Sequence, residues 1–314
     1  MRMHIIGAGA IGGTIGALMT VDGHDVTLCD ADPAHVAAIN EQGLRIEGPV
    51  NQLTVQVPAI LPEDLPDSLD RAIVAVKSHH TRQVADLLAP RLAADGYVLT
   101  VQNGLTADIL TGALGADRVV SSFVNFGADV MGPGRIMQGN IATFRIGELA
   151  GGEITPRVRA LAAALPYAEP TDNVLGYLWG KEAYGAMLWA GAVSDLSIAE
   201  TLEHPAYRPV MIAIAKEVLA QAPVRVESFD GFVPGDLDGS LDRLAAFNRR
   251  SAKTHSGIYR DLAVRKRKTE IDEMLRDIDG PIFRKVGELI HDIEDGKRVC
   301  EAANLDELAA FVAR

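Results

Sequence analysis

The stretch Gly7-Ala8-Gly9-Ala10-Ile11-Gly12 follows the apolar run His4-Ile5-Ile6 and leads into the small-residue run from Gly13 to Met19. Nothing else in the chain restricts its fold so tightly. In a strand–turn–helix unit the first glycine permits a tight turn. The second lets backbone approach a pyrophosphate, and the third lets the helix lie close on the sheet. The helix N-terminus adds free N–H groups and a partial positive charge, so Ala10 and Ile11 join Gly7, Gly9 and Gly12 as candidate cofactor contacts. Gly23-His24-Asp25 then breaks the helix, and Val26-Thr27-Leu28-Cys29 reads as a second strand ending at Asp30. That acid stands about 20 residues past the glycines, where a ribose 2′-hydroxyl would be bound. A carboxylate there accepts from a hydroxyl and repels a 2′-phosphate, which favours NAD(H) over NADP(H). The lesser alternative for Asp30 is a strand-end residue or a cap before Pro33.

Composition narrows the class. The chain has 314 residues, enough for two domains, and 48% hydrophobic residues to fill their cores. A net charge of −12, spread along the sequence, argues against a nucleic-acid partner. Two cysteines, Cys29 and Cys300, make no disulfide framework, as expected in a reducing cytoplasm. Arg2 before an apolar stretch resembles a signal peptide, but the glycines stand where a phosphate loop needs them. No uncharged run reaches the ~18 residues of a membrane span. The histidines are scattered, apart from His79-His80, so no metal site is expected. The reading is of a soluble, cytoplasmic protein.

After Asp30, residues 33–42 suit a helix opened by Asp32-Pro33 and stopped by Gly43. Residues 44–47 and 53–57 alternate apolar and polar side chains around Gly48-Pro49, which predicts an inserted β-hairpin. Residues 72–76 form a continuous apolar run suited to a buried parallel strand, with Lys77-Ser78 at its end. Ligands bind at the carboxyl ends of such strands, making Lys77 a candidate cofactor contact, or else merely a solvated lysine. Thr81 would cap a helix over 82–92. A strand over 97–101 ends in Gln102-Asn103-Gly104-Leu105, and 119–124 continues the sheet. Residues 126–147 read as β-rich with Gly132-Pro133-Gly134 as a turn, and helix resumes over 155–165. The stretch 166–170 is the expected boundary. Beyond it only helical spacing recurs, at 175–192, 206–222, 240–253, 279–294 and 305–313. The expected fold class is α/β: a Rossmann dinucleotide-binding domain over 1–170, then an all-α substrate domain over 171–314, with the active site in the cleft between them.

Several separated motifs together resemble the ketopantoate reductase family. They are Gly7-x-Gly9-x-x-Gly12, Val76-Lys77-Ser78, Gln102-Asn103-Gly104-Leu105, Lys181 after the boundary, Arg267-Lys268-Thr269-Glu270-Ile271-Asp272, and the closing Glu288 to Glu294. The resemblance spans nearly the whole chain. It implies reduction of a 2-keto acid with a nicotinamide cofactor, usually NADPH. It implies Lys181 as general acid, Glu270 accepting a hydrogen bond from the substrate hydroxyl, and Asn103 between nicotinamide and substrate, its amide able to donate and accept. Lys181 also has a reading of its own: it is flanked by Trp179-Gly180 and by Ala183 to Trp189, surroundings too apolar for a fully exposed face and suited to lowering a lysine pKa. Taken alone, Lys181 could be a surface lysine and Glu270 one more solvated charge.

Two departures reshape the expected pocket. The family typically has asparagines four residues after the lysine and a turn later; here those places hold Gly185 and Trp189. The segment from Ser256 to Glu270 is also longer than the family's usual spacing. His255, Ser256 and Arg260 are candidate replacement contacts, Arg260 suited to a bidentate grip on a carboxylate. The substrate is expected to be a small acid other than, or including, ketopantoate, and a homodimer is left open as the assembly. Two alternatives stand beside this reading. One is an NAD-dependent dehydrogenase oxidising a sugar acid or another hydroxy acid, with neutral Lys181 as base. The other is a non-catalytic NAD(H) sensor.

Overall fold

The computed structural model describes residues 1–250 and 254–314. The chain divides into two compact units, Met1–Val174 and Leu175–Arg314.

In the first unit, strand β1 (Arg2–Ile6), helix α1 (Ala10–Val21), β2 (Asp25–Cys29) and α2 (Pro33–Gln42) follow in the order the sequence predicts. Asp32 caps α2 by accepting the Ala34 N–H, and Pro33 presets the first helical φ. Next come β3 (Leu44–Glu47), β4 (Leu53–Val55), β5 (Ala59–Ile60), β6 (Leu69–Val74), α3 (Thr81–Leu88), β7 (Leu92–Thr100), α4 (Ala107–Leu114) and β8 (Val119–Val124). The unit closes with β9 (Ala128–Gly132), β10 (Arg135–Gln138), β11 (Phe144–Glu148), α5 (Pro156–Ala164) and β12 (Ala168–Pro170).

Among the described residues the main sheet has the order β12-β11-β8-β7-β6-β1-β2-β5, parallel from β8 through β5. Strand order reverses on either side of β1, which makes the loops after β1 and β6 the switch point where doubly wound sheets bind ligands. Apolar residues fill both faces, Ile5, Leu28, Ile73 and Leu99 on one and Ile6, Val74 and Val98 on the other, the latter clustered with Leu88 of α3. This explains why residues 72–76 read as an unbroken apolar run.

Three local expectations are corrected. The helix expected over 82–92 spans Thr81–Leu88, because Pro90 has no N–H to carry the helical ladder further, and Leu92 already opens β7. Thr81 does not cap it: its hydroxyl donates to the Ser78 carbonyl at 2.7 Å, within a short 3₁₀ turn over Ser78–His80. The predicted hairpin strand over 53–57 stops at Val55. The hairpin's partner was also not foreseen, since β3 and β4 join β9 and β10 in a second sheet ordered β4-β3-β10-β9. That sheet covers α1, whose residues from Gly12 to Met19 are all buried, so α1 is apolar all round.

The second unit contains α6 (Val174–Ala192), α7 (Ile198–Glu203), α8 (Arg208–Leu219), α9 (Leu237–Arg249), α10 (Gly257–Tyr259), α11 (Ile271–Asp277), α12 (Pro281–Glu294) and α13 (Ala302–Val312). The last three residues of the helix expected over 240–253 lie outside the described residues. Periodicity missed α7, α10 and α11, which are too short to show a face. A π-helical turn, Arg260–Val264, continues α10; its hydrogen bond runs from Arg265 N–H to the Arg260 carbonyl at 2.8 Å. Among the described residues no helix is long and apolar enough to cross a membrane.

Candidate active site

Each glycine of the first loop does a different thing. Gly7 sits at φ 100°, a conformation L side chains rarely adopt. A Cβ on Gly12 would overlap the Gly7 carbonyl oxygen and meet Ala75 Cβ at 2.8 Å, so this glycine lets α1 close on the sheet. A Cβ on Gly9 meets nothing within 4 Å. Open space at that one position, beside α1 amides with no intrahelical acceptor, fits a pyrophosphate.

Ala8, between the first two glycines, is held at both its polar groups. Its N–H donates to Asp30 Oδ2 at 2.8 Å, and its carbonyl pairs with His35 Nε2 at 2.9 Å. Gly134 N–H donates to His35 Nδ1 at 3.0 Å. Nδ1 is therefore the acceptor, and the proton on Nε2 goes to Ala8. His35 is buried and ties the phosphate loop to the β9–β10 turn of the second sheet. Sequence reasoning missed it, because a lone histidine on a helix carries no signal of a partner 99 residues away.

Asp30 is thus partly a loop anchor: its other oxygen, Oδ1, accepts from Asp32 N–H at 3.0 Å. Each carboxylate oxygen has two acceptor sites, so capacity remains for a ribose hydroxyl.

Lys77 and Asn103 lie just beyond the carboxyl ends of β6 and β7, both exposed. The residue organising their loops is Gln102, which is buried. Its Nε2 donates to the Val76 carbonyl at 2.9 Å and to Thr81 Oγ1 at 2.8 Å, while Oε1 accepts from Thr100 Oγ1 at 3.2 Å. One side chain therefore fixes the segment before Lys77 and the residue before Asn103. All the cofactor candidates except the helix residues emerge at the carboxyl ends of β1, β2, β6 and β7.

In the second unit Lys181 is half-buried on α6, and desolvation lowers its ammonium pKa to about 8. The adjacent Glu182 is buried and its pKa is raised to about 7, again chiefly by desolvation; the two charges partly support one another. A Cβ on Gly185, one turn along α6, meets nothing within 4 Å.

His255 and Ser256 stand immediately before α10 and Arg260 immediately after it. Ser256 Oγ caps α10, accepting the Tyr259 N–H at 3.1 Å. His255 is engaged at both nitrogens, Nδ1 with Thr254 Oγ1 at 2.9 Å and Nε2 with the Asp195 carbonyl at 3.3 Å, and stacks on Tyr259. Arg260 opens the π turn. His255 and Ser256 also line an apolar recess with Met187, Gly191, Ile198 and Leu202. Glu270 stands at the residue before α11, half-buried, and its side chain does not cap that helix. Among the described residues no group of three His, Cys, Asp or Glu could hold a metal ion.

A parallel sheet that delivers its loops to one switch point, with a glycine turn open at its middle position, defines a dinucleotide-binding fold of the oxidoreductase type. Residues 3–151 match the family described as ketopantoate reductase PanE/ApbA. Along nearly its whole length the chain is similar to 2-dehydropantoate 2-reductases and to a PanE/ApbA family ketopantoate reductase. It is 32% identical over 186 residues to a 2-dehydropantoate 2-reductase of Pyrococcus abyssi, an alignment spanning 58% of this chain and 60% of that relative. A 2-dehydropantoate 2-reductase of Halobacterium salinarum is 26% identical over 307 residues, covering 92% of this chain and 98% of the relative. The crystal structure of a PanE/ApbA family ketopantoate reductase from Ralstonia eutropha superposes with a TM-score of 0.80 at 28% identity, over 95% of this chain and 99% of that one.

Proposed function

We propose that this chain transfers hydride between a nicotinamide dinucleotide and a small 2-keto or 2-hydroxy acid, with Lys181 moving the proton. The observation that carries it is the desolvated Lys181 ammonium, whose pKa of about 8 makes it a proton donor at neutral pH. A nicotinamide cofactor, when bound, supplies the hydride. Gly7, Gly9 and Gly12 with the first amides of α1 would hold its pyrophosphate, and Asp30 its ribose, with Lys77 and Asn103 contacting it from the ends of β6 and β7. As hydride reaches the keto carbon, the C=O electron pair moves onto oxygen, and Lys181 Nζ gives that oxygen its proton. Glu270 accepts a hydrogen bond from the substrate's hydroxyl, and Asn103 orients the keto group. Ser256 and Arg260 are contacts for the acid's carboxylate, with His255 holding the wall beside them.

Asp30 selects NADH, because a 2′-phosphate beside its carboxylate would be repelled. The same lysine favours a second direction: near pH 8 a large fraction of Lys181 is neutral and able to accept a proton, which suits oxidation of a hydroxy acid by NAD. The test is a fluorescence titration of the protein with NADH and NADPH, followed by absorbance at the nicotinamide band on adding ketopantoate and a panel of 2-keto acids. Oxidation of NADH that is lost in Lys181→Ala, with cofactor binding retained, supports the reading. Cofactor binding with no acid turned over by the native protein refutes it.

A further inference from the structure

Helices α11 and α12 are joined at three successive levels. At the first, a Cβ on Gly287 would stand 2.7 Å from Leu275 Cδ1, so this glycine lets the two helices close. At the second, His291 Nε2 lies 3.0 Å from Asp272 Oδ1. At the third, Glu294 Oε1 accepts two hydrogen bonds from Thr269, from its N–H and from its Oγ1, each 2.7 Å. Positions 287, 291 and 294 on α12 thus meet 275, 272 and 269 in reverse order, at the spacing that keeps residues on one helix face. Glu270 lies between the second and third levels, and its neighbour Ile271 is only 1% exposed.

The three levels differ in strength. The His291–Asp272 pair is open to solvent, with side chains 42% and 78% exposed, and such pairs contribute little. Leu275 against Gly287 sets the distance between the helices but leaves the segment before α11 free to turn. Glu294 is half-buried, and a charged acceptor holding a backbone N–H and a hydroxyl together makes the stronger kind of hydrogen bond. It also stands in the last turn of α12, where the helix dipole disfavours a carboxylate. A carboxylate there is unfavourable for α12 alone, and the Thr269 bonds are what it gains. On the other side, Asp261 in the π turn ion-pairs with Arg265 and Arg267, and Arg267 N–H donates to the Asp261 carbonyl. The chain between the π turn and α11 is therefore tethered at its start by Asp261 and at its end by Glu294.

We propose that Glu294 is the positioning residue for Glu270: by fixing the Thr269 backbone and hydroxyl it sets where the Glu270 carboxylate is presented to substrate. This rests on the role of Glu270 in the function proposed above. The Glu294–Thr269 bonds hold Glu270 where α11 begins.

The experiment compares Glu294→Ala, Glu294→Gln and the milder Thr269→Ala, which keeps the backbone donor, each alone and in a Glu270→Ala background. Expected are a fall of about 10- to 100-fold in kcat/KM for the acid in Glu294→Ala, the scale of a misplaced reacting group, with NADH affinity unchanged. Glu294→Gln, whose amide oxygen still accepts from Thr269, restores most of it, and Thr269→Ala falls between. In the Glu270→Ala background Glu294→Ala has no further effect, since both act through one group. Unchanged kcat/KM in Glu294→Ala, or a loss that simply adds to that of Glu270→Ala, overturns the proposal. If the native protein binds NADH but turns over no acid, the reaction proposed above fails by itself. Hydrogen exchange over residues 265–277 then decides the tether alone: faster exchange confined to that segment in Glu294→Ala supports it, and unchanged exchange overturns it.

Discussion

Asp30 Oδ2 accepts the Ala8 N–H at 2.8 Å, so the carboxylate proposed to select the cofactor also holds the loop that binds it. Asp30→Ala is therefore expected to do two things in a fluorescence titration. NADH affinity falls about tenfold, the scale of one lost charge-assisted hydrogen bond, and the preference over NADPH narrows or inverts as the repulsion of a 2′-phosphate disappears. Asp30→Asn keeps an acceptor and separates the effects: the loop stays ordered while the discrimination weakens. A variant that binds both cofactors like the native protein would remove Asp30 from cofactor recognition.

His35 is expected to matter as much as the glycines. Replacing it with alanine leaves the Gly134 N–H and the Ala8 carbonyl without their buried partner, at roughly 1–3 kcal/mol for each unmet group. Thermal unfolding should show a lower Tm, and NADH should bind more weakly although His35 lies beneath the loop. An unchanged Tm would mean that water replaces the imidazole at no cost.

Gly9 and Gly12 should part company. Gly12→Ala is expected to lower Tm by several degrees, since its Cβ overlaps the Gly7 carbonyl and α1 must retreat from the sheet. Gly9→Val should fold with native stability and lose NADH affinity, because its side chain occupies only the open space assigned to the pyrophosphate. Loss of stability in Gly9→Val with cofactor binding intact would contradict that assignment.

The Lys181–Glu182 pair makes stability and activity pH-dependent in defined directions. Lys181 falls from its ordinary 10.5 to about 8, so between those values the unfolded chain holds a proton that the native state has lost, and stability rises with pH across the window. Below about 8 the native state carries the whole desolvation cost, so Lys181→Met should raise Tm at pH 7 while abolishing turnover. Glu182 rises from 4.5 to about 7, so its contribution is fully present below 4.5 and is lost as pH climbs through 7. Glu182→Gln should accordingly be more stable than the native protein above pH 7, with no difference near pH 4. For activity, reduction needs the ammonium and should fall above about pH 8, while oxidation should rise towards a plateau there. The Glu182 charge supports the ammonium, so Glu182→Gln should move both limbs to lower pH. Rate profiles that stay in place would separate Glu182 from the proton donor.

The parallel sheet, the glycine turn, the acid at the end of β2 and the helical second half were all readable, because each follows from a local rule: turn conformation, apolar runs, or helical period. Lys181 could be singled out because its own helical neighbours are apolar, and desolvation is what lowers its pKa. His35, Gln102 and Glu294 were invisible as working residues. Each acts through hydrogen bonds to segments distant in sequence, and nothing in the local pattern marks a histidine or a glutamine as a tie.

The sequence by itself determined that a dinucleotide loop opens this chain and that its motifs stand in the order of one reductase family, because spacing along a strand–turn–helix is a property of neighbouring residues. Only the tertiary structure decided what holds that loop. The second sheet, formed when β3 and β10 pair residues 90 positions apart, brings Gly134 to His35 and so fixes Ala8. It likewise decided that a π turn and the Glu294–Thr269 bonds bracket Glu270. Those contacts depend on which surfaces meet after folding, and a linear pattern carries no record of that meeting.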